Sequence, residues 1–271
     1  MNVREILKHY GITPMKELGQ SFLISEKIAN RIVEACEIGP QDVLLEVGPG
    51  LGILTQSLCK RARKVFAVEK DTILFEFLTQ KFHDTMNLTL LNKDILSQKL
   101  GVAPLSTKFK LVSNLPYSIT SDFLYWLLNN RKYIKSCVLT LQREVAQRIM
   151  ASPGTKVYGA LSVLFQLWME VRPLFSISCP SFFPSPKVTS EVISIKPKRK
   201  LQKINEELLL KVVKTSFAKR RKQLKNSLGF KIDTLGGIDL SRRPESLGYK
   251  DFLQLTIALS HRMTQKNKFK I

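Results

Sequence analysis

The run Asp42-Val-Leu-Leu-Glu-Val47 breaks directly into Gly48-Pro49-Gly50-Leu51-Gly52, and Ile53-Leu54-Thr55-Gln56-Ser57-Leu58 then resumes with apolar residues at helical spacing. Few chain segments restrict the possible folds as much. A buried strand, a glycine turn and an amphipathic helix in that order are the opening unit of an open α/β sheet. Bare glycine backbone at the strand's end lets a ligand approach closely. The spacing is G-x-G-x-G, not the G-x-G-x-x-G of the dinucleotide fingerprint, so a pyrophosphate cradle is not required. A plain tight turn would also satisfy it.

Two further strand-like runs end in acids. Lys64-Val-Phe-Ala-Val-Glu69 places Glu69 about 20 residues after the loop, where a carboxylate can bind both hydroxyls of a ribose or simply face solvent. Leu88–Leu91 leads into Asn92-Lys93-Asp94-Ile95. Asp94 suits an adenine amine, with Ile95 against the ring, or equally an N-cap. Acid-ended strands in this order describe a site for an adenosine with a small substituent, and the adenosine part of S-adenosylmethionine fits.

A fourth run, Phe109–Val112, ends in Ser113-Asn114-Leu115-Pro116-Tyr117. An Asn side-chain carbonyl and the carbonyl preceding a proline can both accept hydrogen bonds from one exocyclic amine, while a Tyr ring stacks on the heterocycle carrying it. Those are the needs of an enzyme that methylates a nucleobase amine. An ordinary strand-to-loop exit is the alternative for the tetrapeptide alone.

Glycine loop, Glu69, Asp94 and Asn-Leu-Pro-Tyr together resemble the ribosomal RNA adenine dimethyltransferase family, whose branches are the KsgA and Erm types. Lys16-Glu-Leu-Gly-Gln-Ser-Phe-Leu23 is similar to the family's N-terminal Lys-x-x-Gly-Gln-Asn-Phe-Leu. Gln142–Arg148, Tyr158–Val163 and Phe182-Phe-Pro-Ser-Pro-Lys-Val188 resemble its next blocks, and Arg220–Leu228 with Arg243-Pro-Glu245 its C-terminal part. The likeness runs from about Lys16 to Leu259, and its C-terminal blocks favour the KsgA branch.

The resemblance implies roles residue by residue. Gln20, Ser21 and Leu23 belong to a segment covering the cofactor, with Ser21 standing where the family usually has Asn. Gly48 and Gly50 bracket the methionine part, Glu69 with Lys70 meets the ribose, and Asp94 and Ile95 meet the adenine. Asn114 joins cofactor to target, and the catalytic set is Asn114, Leu115, Pro116, Tyr117 and Phe182. Tyr117 and Phe182 are expected to sandwich a base that has left its stack. Phe22 is expected to pin its segment to the core. No general base is needed before methyl transfer, and His9, His83 and His261 lie outside every motif, as surface residues. The implied reaction is S-adenosylmethionine-dependent dimethylation of two adjacent adenosines near the 3′ end of 16S ribosomal RNA. The alternatives are an Erm-like 23S methylase and a non-catalytic RNA-binding assembly or transcription factor. A nicotinamide dehydrogenase fails on the glycine spacing.

Charge agrees with an RNA partner. Lys plus Arg number 43 against 22 Asp plus Glu, a net of +21, and 20 bases against 6 acids fall from Lys196 onward. Arg220, Arg221, Lys222, Lys225, Arg242 and Arg243 are the candidate phosphate contacts, against the alternative of a solvated helical face. The four cysteines lack metal or redox spacing and no metal site is expected. No apolar run is long enough to span a membrane. Little room for a leader is expected before Lys16, giving a cytoplasmic protein, monomeric, whose partner is the small ribosomal subunit. The expected architecture is a Rossmann-like α/β methyltransferase sheet with helices on both faces and a small all-helical C-terminal domain. Its boundaries are 1–19 for an N-terminal extension, 20–197 for the catalytic domain and 198–271 for a basic RNA-binding domain. Lys196–Lys200 is the expected linker, and helices are expected over Lys219–Leu228 and Lys250–Arg262.

Overall fold

A computed structural model describes residues 3–14, 20–101, 108–198 and 204–268, with side chains to 263. The chain divides into two compact units: Met1–Ala146 with Val171–Pro197, and Gln147–Glu170 with Lys198–Ile271. Residues 147–170 thus fall with the C-terminal helices, whereas the linear sequence reading groups them with the sheet.

In the first unit, helix α1 (Val3–His9) and the short strand β1 (Phe22–Leu23) precede α2 (Glu26–Ala35), β2 (Val43–Val47), α3 (Ile53–Cys59), β3 (Lys64–Glu69), α4 (Thr72–Lys81) and β4 (Leu88–Asn92). Then follow β5 (Phe109–Asn114), α5 (Thr120–Asn129), β6 (Ile134–Gln142) and the start of α6 (Arg143–Met150). After α7 (Ala160–Trp168), strands β7 (Met169–Ile177), β8 (Phe182–Phe183) and β9 (Ser190–Pro197) complete the sheet region. Seven strands form one sheet in the order β4-β3-β2-β5-β6-β9-β7. β2 pairs in parallel with both β3 and β5, and β9 pairs antiparallel to β6. Every residue of β2 is buried, the pattern of a parallel strand covered on both faces. α2 buries Ala29, Ile32 and Val33 and is capped by Ser25; Asp71 caps α4 through the Ile73 and Leu74 amides.

The chain leaves β2 for β3 and β4 on one side, then returns to β5 on the other. Strand order therefore reverses between β2 and β5. Open α/β sheets bind ligands beyond the carboxyl ends of the strands at such a point, and the glycine loop and Asn114 are the residues found there.

The second unit packs α7 with α8 (Glu206–Ala218), α9 (Leu224–Leu228) and α10 (Tyr249–Lys268). Tyr158 is fully buried and donates to the Leu247 carbonyl at 2.9 Å, while Phe217 packs between Tyr158 and Phe252. The unit is not wholly helical: β10 (Thr234–Leu235) and β11 (Ile238–Asp239) form a hairpin. Gly236 and Gly237 both have positive φ there, as a two-residue hairpin turn requires. The helix expected over Lys219–Leu228 is reduced to Leu224–Leu228. α8 stops at Lys219, and the adjacent cations of Lys219–Lys222 would gain nothing from helical stacking. Residues 199 and 200 of the expected linker lie outside the described set. Among the described residues no helix is long and apolar enough to cross a membrane.

β2 carries a buried acid in its interior. Glu46 is 1% exposed and accepts a hydrogen bond from Thr55 Oγ1 at 2.7 Å. Burial pushes its pKa from 4.5 to about 8, with Glu69 adding in the same direction and Thr55 and Lys81 opposing. A carboxyl whose folded pKa is raised stabilises the fold most below its unfolded pKa, and that contribution is lost as pH rises through the folded value. Stability should therefore fall between about pH 4.5 and 8, by at most about 1.4 kcal/mol per pH unit. Thermal melts of Glu46→Gln should show a shallower decline over that window. Parallel curves for the variant and wild type would contradict it.

Candidate cofactor and target-amine site

Gly48, Gly50 and Gly52 all take left-handed φ values, +66°, +57° and +77°. Other L residues resist that conformation, and two of these glycines also lack room. A Cβ at Gly52 would meet the Phe82 ring at 2.5 Å, and one at Gly50 would meet Phe22 at 3.0 Å. The loop is tied down around these points. The Gly48 amide donates to the Val68 carbonyl at 3.0 Å, and Lys81 Nζ donates to the Leu51 carbonyl at 2.8 Å.

Glu69 ends the neighbouring strand and turns inward. Its Oε2 accepts from the Gly50 amide at 3.3 Å and its Oε1 from the Asp71 amide at 3.0 Å. Burial raises its pKa and those amides pull it back. The carboxylate thus reaches across from β3 to the glycine loop. Between them opens a cleft of about 590 Å³, its mouth included, walled by Gln20, Ser21, Leu23, Glu46, Gly48, Gly50, Glu69 and Asn114 among others.

Asn114 closes the opposite side from the end of β5. Ser113 Oγ anchors that end to the Val47 carbonyl at 2.5 Å. Asn114 Nδ2 donates to the Ser21 carbonyl at 3.4 Å, so Oδ1 is the acceptor that the amide has to offer. Leu115 is buried and Pro116 lies against Gly48, its Cδ 3.7 Å from where a Cβ there would stand. Tyr117 is half-buried with its hydroxyl 2.7 Å from Ser190 Oγ, and burial raises its pKa. Ser21 Oγ donates to the Pro184 carbonyl at 2.6 Å. Its side chain therefore braces the 182–188 loop.

Other candidate residues sit apart from these walls. Asp94 Oδ2 pairs with Lys70 Nζ at 2.9 Å, and Oδ1 accepts from the Leu96 amide as an N-cap. The Lys70 contact chiefly lowers the Asp94 pKa, and Ile95 is buried. None of these three is among the cleft's lining residues, although the Asn92–Lys93 turn is tied to the Glu69 carbonyl. Phe182 is 3% exposed and lies in the apolar cluster of Leu23, Ile32 and Val33. Antiparallel pairing of β1 with β8 explains this. Phe182 is opposite Leu23 and Phe183 opposite Phe22, so alternate side chains face opposite ways. Phe182 turns inward and Phe183 is the half-exposed ring of the pair, so the structure offers no open face on Phe182 for a base. Phe22 is buried, as expected of a pin. Glu46 was missed, although an acid inside an apolar strand run was the visible signal for it.

The C-terminal cations divide sharply. Arg220 Nε pairs with Glu245 at 2.7 Å, and its other nitrogens donate to the Lys156 carbonyl at 2.6 Å and the Thr155 carbonyl at 3.1 Å. That is a structural brace, against the phosphate-binding role expected for it. Arg242 is likewise turned onto Ser246, and Lys225 pairs with Asp233 at 2.7 Å. Arg221, Lys222 and Arg243 are exposed. Among the described residues no cluster of His, Cys, Asp and Glu could hold a metal ion.

Comparison with known proteins gives these features a common setting. The ribosomal RNA adenine dimethylase profile matches residues 13–267. A ribosomal RNA small subunit methyltransferase A from Bacillus cytotoxicus is 37% identical over 282 aligned positions, covering 96% of each chain. Its counterpart from Bacillus mycoides is 38% identical, covering 94% of each. Among solved structures, the 23S rRNA methyltransferase ErmE aligns with TM-score 0.67 and 26% identity over 88% of this chain and 99% of its own. A dimethyladenosine transferase from Plasmodium falciparum aligns with TM-score 0.76 over 89% and 98%, and at 24% identity it speaks to the fold alone. With the profile and these relatives matching nearly the whole chain, the protein belongs to the ribosomal RNA adenine dimethylase family.

Proposed function

We propose that this enzyme uses S-adenosylmethionine to dimethylate the exocyclic amines of two adjacent adenosines near the 3′ end of 16S ribosomal RNA, during small-subunit maturation in the cytoplasm. The observation that carries the reading is the juxtaposition of Asn114 with the glycine-loop cleft at the sheet's switch point. The small-subunit names of relatives at 37–38% identity favour it over a 23S target.

The cleft's donor set suits the cofactor: bare backbone at Gly48 and Gly50, and a carboxylate at Glu69 able to meet a ribose. When bound, S-adenosylmethionine supplies an electrophilic methyl group. Gly48 and Gly50 approach its methionine part, Glu69 with Lys70 orients the ribose, and Asp94 and Ile95 receive the adenine beyond the cleft walls. Gln20, Ser21 and Leu23 cover the site. The adenine amine is a weak nucleophile because its lone pair is delocalised into the ring. In the first transfer Asn114 Oδ1 and the Leu115 carbonyl accept its two N–H bonds, and in the second one of them accepts the single N–H that remains, which favours a pyramidal nitrogen with the lone pair aimed at the methyl group. Pro116 fixes the turn and Tyr117 stacks on the flipped base. The proton is acidic only after the nitrogen has become cationic, and it then passes to solvent. Intact Asn114, Glu69 and Tyr117 weigh against a non-catalytic assembly factor.

Asn114→Ala should leave cofactor and RNA affinity within a few-fold while lowering methyl transfer by about 100-fold or more, read as tritiated methyl incorporation. Retained turnover would remove Asn114 from its role. In the C-terminal unit, Arg221→Ala with Lys222→Ala should weaken small-subunit binding and lower its salt slope by about two, leaving the melting temperature unchanged. Arg220→Ala should instead lower the melting temperature, because Glu245 and two carbonyls lose their donor. The reverse pattern would contradict this division of labour.

A further inference from the structure

We propose that the groove between α1 and Phe183 is a second RNA subsite, holding a single-stranded nucleotide beside the target adenosine through its base on Phe183 and its phosphate on Arg4 and Lys8. This rests on the reading that the substrate is RNA.

The groove is a shallow depression open to solvent, on a floor of Leu7, Ile12 and Pro14. Its charged walls are Arg4 and Lys8, both exposed, and among the described residues no acid lines it. The Arg4 guanidinium lies over the Phe183 ring, 5.2 Å from its centroid. An aromatic ring and a guanidinium plane are the two surfaces on which unpaired bases stack. A second cation one helical turn away, Lys8, suits the phosphate that such a base carries. An acidic peptide could use the cations but would leave the stacked planes without purpose.

Position links this groove to the chemistry. Asn114 donates to the Ser21 carbonyl, and Ser21 Oγ donates to the Pro184 carbonyl. Phe22, which walls the cofactor cleft, is paired with Phe183. One two-residue ladder therefore separates the amine-binding end of β5 from the groove. Leu7, Ile12, Phe22, Leu51 and Leu74 share a single apolar cluster, so α1 is a fixed wall of the same unit. A nucleotide held there would fix the path of the strand entering the active site and leave the cofactor's own contacts untouched.

The test measures binding of a fluorescent single-stranded decaribonucleotide containing two adjacent adenosines to the full-length protein, by anisotropy across salt. Arg4→Gln with Lys8→Gln should weaken it about tenfold and lower the salt slope by about 0.7. Phe183→Leu should weaken it about three- to tenfold with the slope unchanged. Cofactor affinity should stay within twofold in both, and ultraviolet cross-linking of the wild type should mark the peptide containing Phe183. Unchanged RNA affinity, with cross-links confined to the C-terminal basic segment, would overturn the proposal. So would parallel loss of cofactor affinity, which would make α1 a structural wall only, or retention of RNA binding alongside loss of a small-subunit protein contact. Binding is read without turnover, so failure of the methylation reading and failure of this subsite give separate results.

Discussion

The left-handed turn from Gly48 to Gly52 is the constraint on which the rest of the site depends. Positive φ at every second residue, Gly48, Gly50 and Gly52, allows the chain to leave β2 and enter α3 without covering the strand's end. The turn does not hold itself. Glu69 accepts its Gly50 amide, Lys81 donates to its Leu51 carbonyl, and Phe22 and Phe82 occupy the space that side chains would need. Those partners come from β1, β3 and the C-terminal end of α4, so the turn's geometry is the product of several elements of the α/β unit. The cost includes two buried or nearly buried acids, Glu46 and Glu69, whose pKa values burial raises.

The N-terminal segment is the second structural determinant. Ser21 contacts Asn114 through its carbonyl and Pro184 through its hydroxyl, coupling Asn114 to the 182–188 loop. The cleft wall and the 182–188 loop thereby share one two-residue ladder.

The parallel strands were legible because buried parallel strands read as continuous apolar runs, and β2, β3 and β5 do so almost without interruption. The glycine loop and Asn114 were legible for a related reason: both follow such runs directly. What stayed hidden was set by distant partners. Whether Phe182 or Phe183 faces outward depends on pairing with Phe22 and Leu23, some 160 residues earlier in the chain. Likewise, Arg220 reads like its neighbours Arg221 and Lys222, and only the nearby Glu245 and the 155–156 carbonyls make it a brace. The grouping of residues 147–170 with the C-terminal helices depends on Tyr158 and α7 packing, which no linear composition change announces. Of its two sequence readings Asp94 takes up the N-cap, accepting from the Leu96 amide, and it also pairs with Lys70.

The most direct measurement is incubation of the protein with S-adenosylmethionine and small ribosomal subunits lacking adenine dimethylation, followed by mass-spectrometric mapping of modified nucleosides. The account predicts dimethyladenosine as an adjacent pair near the 3′ end of 16S ribosomal RNA. Tight subunit binding with no methylated product, or dimethyladenosine only when 23S ribosomal RNA is supplied, would contradict it.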